Sequence, residues 1–306
     1  MYFARIICVF GLLASTCLVS CHHASTAGSF TSVPIAVKWM AIDVNSADGQ
    51  ADANLVRFAN GQNYLIDAGD TNGKLVSELK TQHVQTLEAV IISHAHRDHY
   101  GGLAALLDSA IRVKRVLFNI PARSVCDSEK PWGCDYADVE NTIKLVRQRG
   151  VAVNPVSAGD VMFRDGKVSL EVLYAYDGIN TPVGPTDIND MSLIMLLSNG
   201  DMRVLFTGDL NQKLGSYLAG LGDRKLKAQF LKMPHHGAES LAPNSFFDWV
   251  DPRVVVIPAP GKIWNSDRCK QARDWVEGKR LPHYVTGLSG NFSVSLTPGH
   301  YDIATK

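Results

Sequence analysis

The stretch VIISHAHRDHYGG, residues 90–102, sets three histidines and an aspartate within six positions, directly behind a β-branched apolar run. A polar ring is costly to bury without a partner, so this crowding at the end of a strand-like run asks for a cause. His94 and His96 are two residues apart, and on an extended segment their side chains point the same way. Asp98 and His99 follow where DHYGGL opens a helix. Nitrogen and oxygen donors in this order suit two divalent cations, with His94 and His96 on the first and Asp98 and His99 on the second. A histidine-rich surface loop would need neither Ile91 and Ile92 leading in nor Gly101 and Gly102 leading out.

The chain around this motif has 306 residues, 46% hydrophobic and 20% charged, enough to bury a full core. Lys plus Arg equals Asp plus Glu at 30 each, which gives no case for a basic nucleic-acid surface or a polybasic membrane patch. No segment is low in complexity, and no repeat stands at solenoid periods.

The N-terminus reads as a targeting segment. Arg5 precedes an apolar run over 6–19, short of the roughly 20 residues that span a bilayer. Leu18-Val19-Ser20-Cys21 then completes the pattern of a secretory signal. That ending resembles a bacterial lipobox, which implies cleavage before Cys21 and a lipid on its thiol. Residues 1–20 are therefore expected to be a lipoprotein signal peptide and 21–34 a flexible tether of small and polar residues. Residues 35–306 would form one exported domain, anchored through Cys21 or free in the periplasm. Cys126 and Cys134 flank CDSEKPWGC, and an oxidising compartment favours a local bridge across that loop. Cys269 is expected to be buried and unpaired.

Strands are expected at 35–44, 53–59, 62–67, 87–93 and 113–118, helices at 99–107 and 136–149, and short strands across 151–175. MSLIMLL and MRVLFTG flank Ser198-Asn199-Gly200-Asp201, whose Asn-Gly pair signals a two-residue hairpin turn. A helix near 211–221, strands at 226–232 and 253–257, a helix near 267–277 and a closing strand at 291–296 complete the order. Hairpins and helices interleave without a dividing linker. That fits two packed sheets with helices outside, an α+β class.

SHAHRDHYGG resembles the signature of the metallo-β-lactamase fold, a four-layer αββα sandwich, and the remaining pieces stand in the family's order. YLIDAGD sets Asp67 where the family has an early aspartate that orients the site. LFTGD sets Asp209 at the metal-bridging carboxylate, and LKMPHHGAES sets His235 at the last metal-ligand histidine. The likeness runs from about residue 36 to 296. GQADANLV at 49–56, NDMSLIMLL at 189–197 and LKMPHHGA at 231–238 are similar to the ComEC-type domain of bacterial DNA-uptake proteins, a pattern shared with phosphocholine esterases. The many apolar spans of a DNA channel are missing from this chain.

One departure stands out. Many members of the fold supply a further histidine to the first metal before the bridging aspartate, yet Tyr100 to Asp209 contains none. TDINDMS offers Asn189, Asp190 or Ser192 instead, with Asp190 the first choice, or water takes the place. Oxygen ligation there would admit manganese beside zinc. His236 would flank the metals and protonate a leaving group. Lys232 reads as exposed or as a sensor of an anionic substrate. His22, His23, His83, His283 and His300 have no companions and read as surface or core residues.

The resemblance thus implies a hydrolase with two divalent metal ions, zinc or alternatively manganese, that lower the pKa of a shared water. Asp98 would serve as ligand and orienter of the nucleophile. The expected substrate is a phosphoester or phosphodiester, either a small molecule or an envelope polymer. The alternatives are β-lactam, lactone or other amide or ester hydrolysis, and a non-catalytic envelope-binding lipoprotein.

Overall fold

The computed structural model describes residues 36–44, 49–130, 133–177 and 188–306. The expected signal peptide and tether, with residue 35, lie outside them, as do Thr186 and Asp187 of TDINDMS.

Among the described residues, one sheet has eight strands in the order His300–Thr305, Phe292–Thr297, Val37–Ala41, Asn54–Phe58, Asn63–Ile66, Ala89–Ile92, Arg115–Phe118 and Ala152–Asn154. A second has seven, in the order His283–Val285, Val254–Ile257, Phe230–Lys232, Met202–Phe206, Ile194–Asn199, Val168–Tyr174 and Val161–Asp165. Each sheet is antiparallel over one part and parallel over the other.

Strand alternation explains the layers. Successive side chains of a strand face opposite ways, and every residue of Ala89–Ile92 is buried. Ala89 and Ile91 enter the core between the sheets, with Trp39, Leu170, Met195, Phe206 and Phe230. Val90 and Ile92 enter a second core beneath helices Leu75–Thr81 and Tyr136–Gln148. In the other sheet, Val204 and Phe206 join the inter-sheet core. Leu205 turns to a third core under Gln212–Leu221, Asn244–Val250 and Lys270–Gly278. Three cores separate four layers, helix, sheet, sheet, helix, as the resemblance implied.

Several local expectations shift. The helix expected over 99–107 is two short ones, Arg97–Tyr100 and Leu103–Leu107, parted at Gly101 and Gly102. The hairpin turn is Gly200-Asp201 and not Asn-Gly, because Asn199 pairs with Met202 and its side chain donates to the Leu296 carbonyl at 2.9 Å. Residues 224–226 form a 3₁₀ turn, so the strand expected at 226–232 is only Phe230–Lys232. A last strand, His300–Thr305, pairs beyond the expected closing one.

Candidate metal centre

The expected site residues collect at the carboxyl ends of parallel strands, where α/β sheets commonly present ligands. Asp67 follows Asn63–Ile66, and Ser93 and His94 follow its parallel neighbour Ala89–Ile92. Asp209 follows Met202–Phe206, and His235 and His236 follow the parallel Phe230–Lys232. Extended backbone at His96 precedes the turn Arg97–Tyr100, which carries Asp98 and His99. The rings of His94 and His96 lie 4.8 Å apart.

Asp98, His99, Asp209 and His236 offer four ligand atoms, all within 4.8 Å of one another. Asp209 Oδ2 lies 3.2 Å from the Nε2 atoms of both His99 and His236, and Asp98 Oδ2 lies 3.3 Å from His236 Nε2. His94 stands at the edge of the cluster, its Nε2 4.0 Å from Asp209 Oδ2. The Nε2 atoms of His94, His99 and His236 and Oδ1 of Asp209 are buried without a hydrogen-bond partner. An unsatisfied buried polar atom costs about 1–3 kcal/mol. Such atoms gathered around two carboxylates fit a divalent cation, whose coordination would satisfy them.

The far side of each ring is tied down. His99 Nδ1 donates to Asp67 Oδ2 at 2.9 Å, and His236 Nδ1 donates to the Pro258 carbonyl at 2.8 Å. The Ser93 hydroxyl donates to Asp67 Oδ2 at 2.9 Å, which leaves Ser93 Oγ to accept from His94 Nδ1 at 3.0 Å. Asp67 Oδ1 also accepts the Ser93 N–H at 2.7 Å. In the neutral rings, a proton held on Nδ1 would leave the Nε2 lone pairs of His94, His99 and His236 for a metal. Asp67 thus holds both His99 and Ser93.

Charge follows the same plan. Burial raises the Asp98 carboxyl, but His99 and His236 beside it bring its pKa down to about 2. Burial lowers His236, yet Asp209 and Asp98 lift it to about 9. Burial, reinforced by His99, holds His94 well below the usual imidazole value, so its ring is neutral and able to ligate. Lys232 corrects its expectation, being fully buried. It pairs with Asp52, donates to the Gly208 carbonyl at 2.8 Å and stands 3.5 Å from Asp209 Oδ1. Asp52 accepts from Asn54 at 2.8 Å, and Asn54 from the Trp39 indole at 3.0 Å, so a polar chain links the inter-sheet core to Asp209.

Two further expectations change. His235 and His236 exchange places: His236 joins the cluster, whereas His235 Nδ1 binds Asn211 Oδ1 at 2.9 Å on the cleft wall. Both adopt left-handed backbone, with φ 47° and 54°. Such strain in non-glycine residues is typical of functional sites. Asp190 is outside the cluster and accepts the Asn211 N–H at 3.3 Å. Its neighbour Asn189 lines the cleft instead, with Oδ1 buried and lacking a hydrogen-bond partner. Ser192 accepts the Asp209 N–H at 2.9 Å. His96 Nε2 is 2.8 Å from Glu129 Oε2. Glu129, Asp52 and Asn211 were not legible as site residues. Their only signal was polarity, in a loop or beside a motif.

The sequence model of the family described as Metallo-beta-lactamase superfamily matches residues 47–116, which carry Asp67 and the whole 94–99 motif. Over that stretch the chain is similar to the metallo-β-lactamase superfamily. Together with the cluster of Asp98, His99, Asp209 and His236, this likeness points to metal-dependent hydrolase chemistry. It is similar to ComE operon protein 3 of Bacillus subtilis, 28% identical over 186 residues, which cover 60% of this chain and 21% of that protein. It is also similar to Competence protein ComA of Neisseria gonorrhoeae, 24% identical over 261 residues, 82% of this chain and 32% of that one. The chain thus spans about a fifth to a third of these relatives' length. These likenesses agree with the ComEC-type segments in the sequence. CmlA, a diiron β-hydroxylase from Streptomyces venezuelae, shares the fold at 14% identity and a TM-score of 0.51, over 87% of this chain and 55% of that one. No helix among the described residues is long and apolar enough to cross a membrane.

Proposed function

We propose that this protein is a member of the metallo-β-lactamase superfamily, an exported, dinuclear hydrolase of phosphoesters or phosphodiesters that acts on a small molecule or an envelope polymer. The observation that carries this reading is the cluster of Asp98, His99, Asp209 and His236, two of whose carboxylates line a cleft of about 610 Å³ with Arg97 and Arg268. Each guanidinium is paired with an acidic neighbour, and Asp70 and Glu129 also line the cleft, so the charge that would favour an anionic substrate is that of the bound cations.

Asp98, His99 and His236 would hold one cation, His94 and His96 the other, and Asp209 both. Asn189, whose amide oxygen lacks a partner, is the residue suited to complete the first position. Oxygen ligation there suits manganese as well as zinc. When bound, the cations would supply a nucleophilic water of lowered pKa and polarise the phosphoryl oxygen. Asp67 keeps the His99 proton on Nδ1. Asp98 would also be placed to accept a hydrogen bond from the attacking water. His235, with Nδ1–H committed to Asn211, has Nε2 left to move a proton at the leaving group. A lipid on Cys21 would tether the domain to a membrane.

The test is turnover of bis-p-nitrophenyl phosphate, p-nitrophenyl phosphorylcholine and a chromogenic cephalosporin, with zinc or manganese added. Hydrolysis of a phosphate ester that is lost in Asp209→Asn supports the reading. Turnover of the cephalosporin alone would transfer the protein to amide chemistry, and no turnover of any would leave a binding lipoprotein.

A further inference from the structure

The loop closed by the Cys126–Cys134 disulfide carries one acidic side chain inward. Glu129 Oε2 accepts from His96 Nε2 at 2.8 Å and from the Cys134 N–H at 3.0 Å. Its other oxygen accepts the Ile188 N–H at 2.6 Å, at the start of the 3₁₀ turn Ile188–Met191 that carries Asn189. One carboxylate therefore ties together the disulfide loop, the second histidine of the motif and the turn standing where the wider fold has its missing histidine. The approach is close: a Cβ at Gly133 would come within 2.7 Å of Glu129 Cβ, so a larger residue there would have to displace the Glu129 side chain. The Glu129 and His96 side chains are 14% and 16% exposed, which shields the hydrogen bond from competing water.

A carboxylate on one imidazole nitrogen dictates the other. With the Nε2 proton given to Glu129, the lone pair of neutral His96 is on Nδ1, opposite in sense to His94, His99 and His236, whose Nδ1 atoms are the bonded ones. We propose that Glu129 is a positioning residue that presents His96 through Nδ1 to the first cation, and that the Cys126–Cys134 bridge holds Glu129 in register for this. The inference rests on His96 serving the first cation, as in the proposed function. Outer carboxylates of this kind typically change metal affinity by about 10–100-fold.

Two readouts separate this role from simple loop anchoring. Long-range ¹H–¹⁵N correlation on metal-free protein reports the His96 tautomer directly. The Nε2–H form should dominate in wild type and give way to a mixture in Glu129→Ala. Chelator competition with Zn²⁺, with Co²⁺ absorption as a second probe, should show one cation bound about 10–100-fold more weakly in Glu129→Ala. The other cation should be held as in wild type. Glu129→Gln should recover only part of this, because an amide has one acceptor oxygen for three donors. Cys126→Ser/Cys134→Ser should weaken the same cation if the bridge holds the register. Should Glu129→Ala misfold, the double serine variant and Glu129→Gln carry the test. An unchanged tautomer, or wild-type affinity for both cations without Glu129, overturns the proposal. Wild-type protein that binds a single equivalent overturns the two-cation reading instead, while the tautomer still tests the hold of Glu129 on His96.

Discussion

Asp98 is both strongly acidified by the histidines beside it and a neighbour of His236, at 3.3 Å. Asp98→Asn keeps size and one oxygen but removes the charge. That charge matters most in the transition state, so kcat on a confirmed substrate should fall by at least about 10²-fold with KM little changed. Near-normal turnover would refute the role given to Asp98. The adjacent histidines separate by metal content: His236→Ala should lose one equivalent, whereas His235→Ala should keep full stoichiometry and lose rate. Retention of both equivalents by His236→Ala would restore the sequence-based assignment to His235. Cys269 is a simpler case, buried and free. Burial pushes its thiol pKa up to about 11, so it stays neutral through the physiological range. At pH 8 only about 10⁻³ of it is thiolate. Iodoacetamide should therefore spare Cys269 in the native protein and modify it after denaturation, as read by peptide mass spectrometry.

Among the elements, the strand Phe230–Lys232 shows how context overrides a residue's ordinary place. A lysine beside Leu231 and Met233 reads as a surface residue, yet its ammonium is enclosed by Asp52, the Gly208 carbonyl and Asp209. Removing one partner of a buried pair strands the other charge, at about 3–5 kcal/mol. Lys232→Met should lower unfolding stability by that amount in urea, and adding Asp52→Asn should restore a part. A cost below about 1 kcal/mol would show that water reaches the pair. The disulfide loop belongs to this scale as well. Cys126→Ser/Cys134→Ser should lose about 2–3 kcal/mol, the chain-entropy value for so short a loop. The bridge was legible because both cysteines and the turn residues lie within nine positions. The inward Glu129 was not, because its three donors come from His96, Cys134 and Ile188, two of them remote in the chain.

For the whole molecule, metal and stability are linked, because a site assembled from both sheets exists only in the folded chain. At a hundredfold excess over its dissociation constant, one cation adds about 2.7 kcal/mol. For a domain of this size that is about 5–10 °C in Tm. Zinc or manganese should raise the melting temperature by that much and EDTA should reverse it, while Asp209→Asn should show little response. A wild-type Tm indifferent to both metals would remove the metal centre. Targeting is tested separately, since Cys21 lies outside the described residues. Cys21→Ser should abolish lipid labelling and release the protein from the membrane fraction, and unchanged labelling would discard the lipobox reading.

What the sequence determined by itself is what short spans encode. The β-branched run before His94 specified a strand buried on both faces, the two-residue spacing set His94 and His96 on one side, and CDSEKPWGC specified its own bridge. Motif order then sufficed for the four-layer fold. Tertiary structure alone decided which of two adjacent histidines meets Asp209, because left-handed backbone at both His235 and His236 turns the second inward. It also decided that Lys232 is enclosed, that Asp190 serves Asn211 while Asn189 lines the cleft, and that Glu129 holds His96. Side-chain alternation and turn chemistry act between near neighbours. A buried group's partner is set by whichever strand ends the two packed sheets bring together.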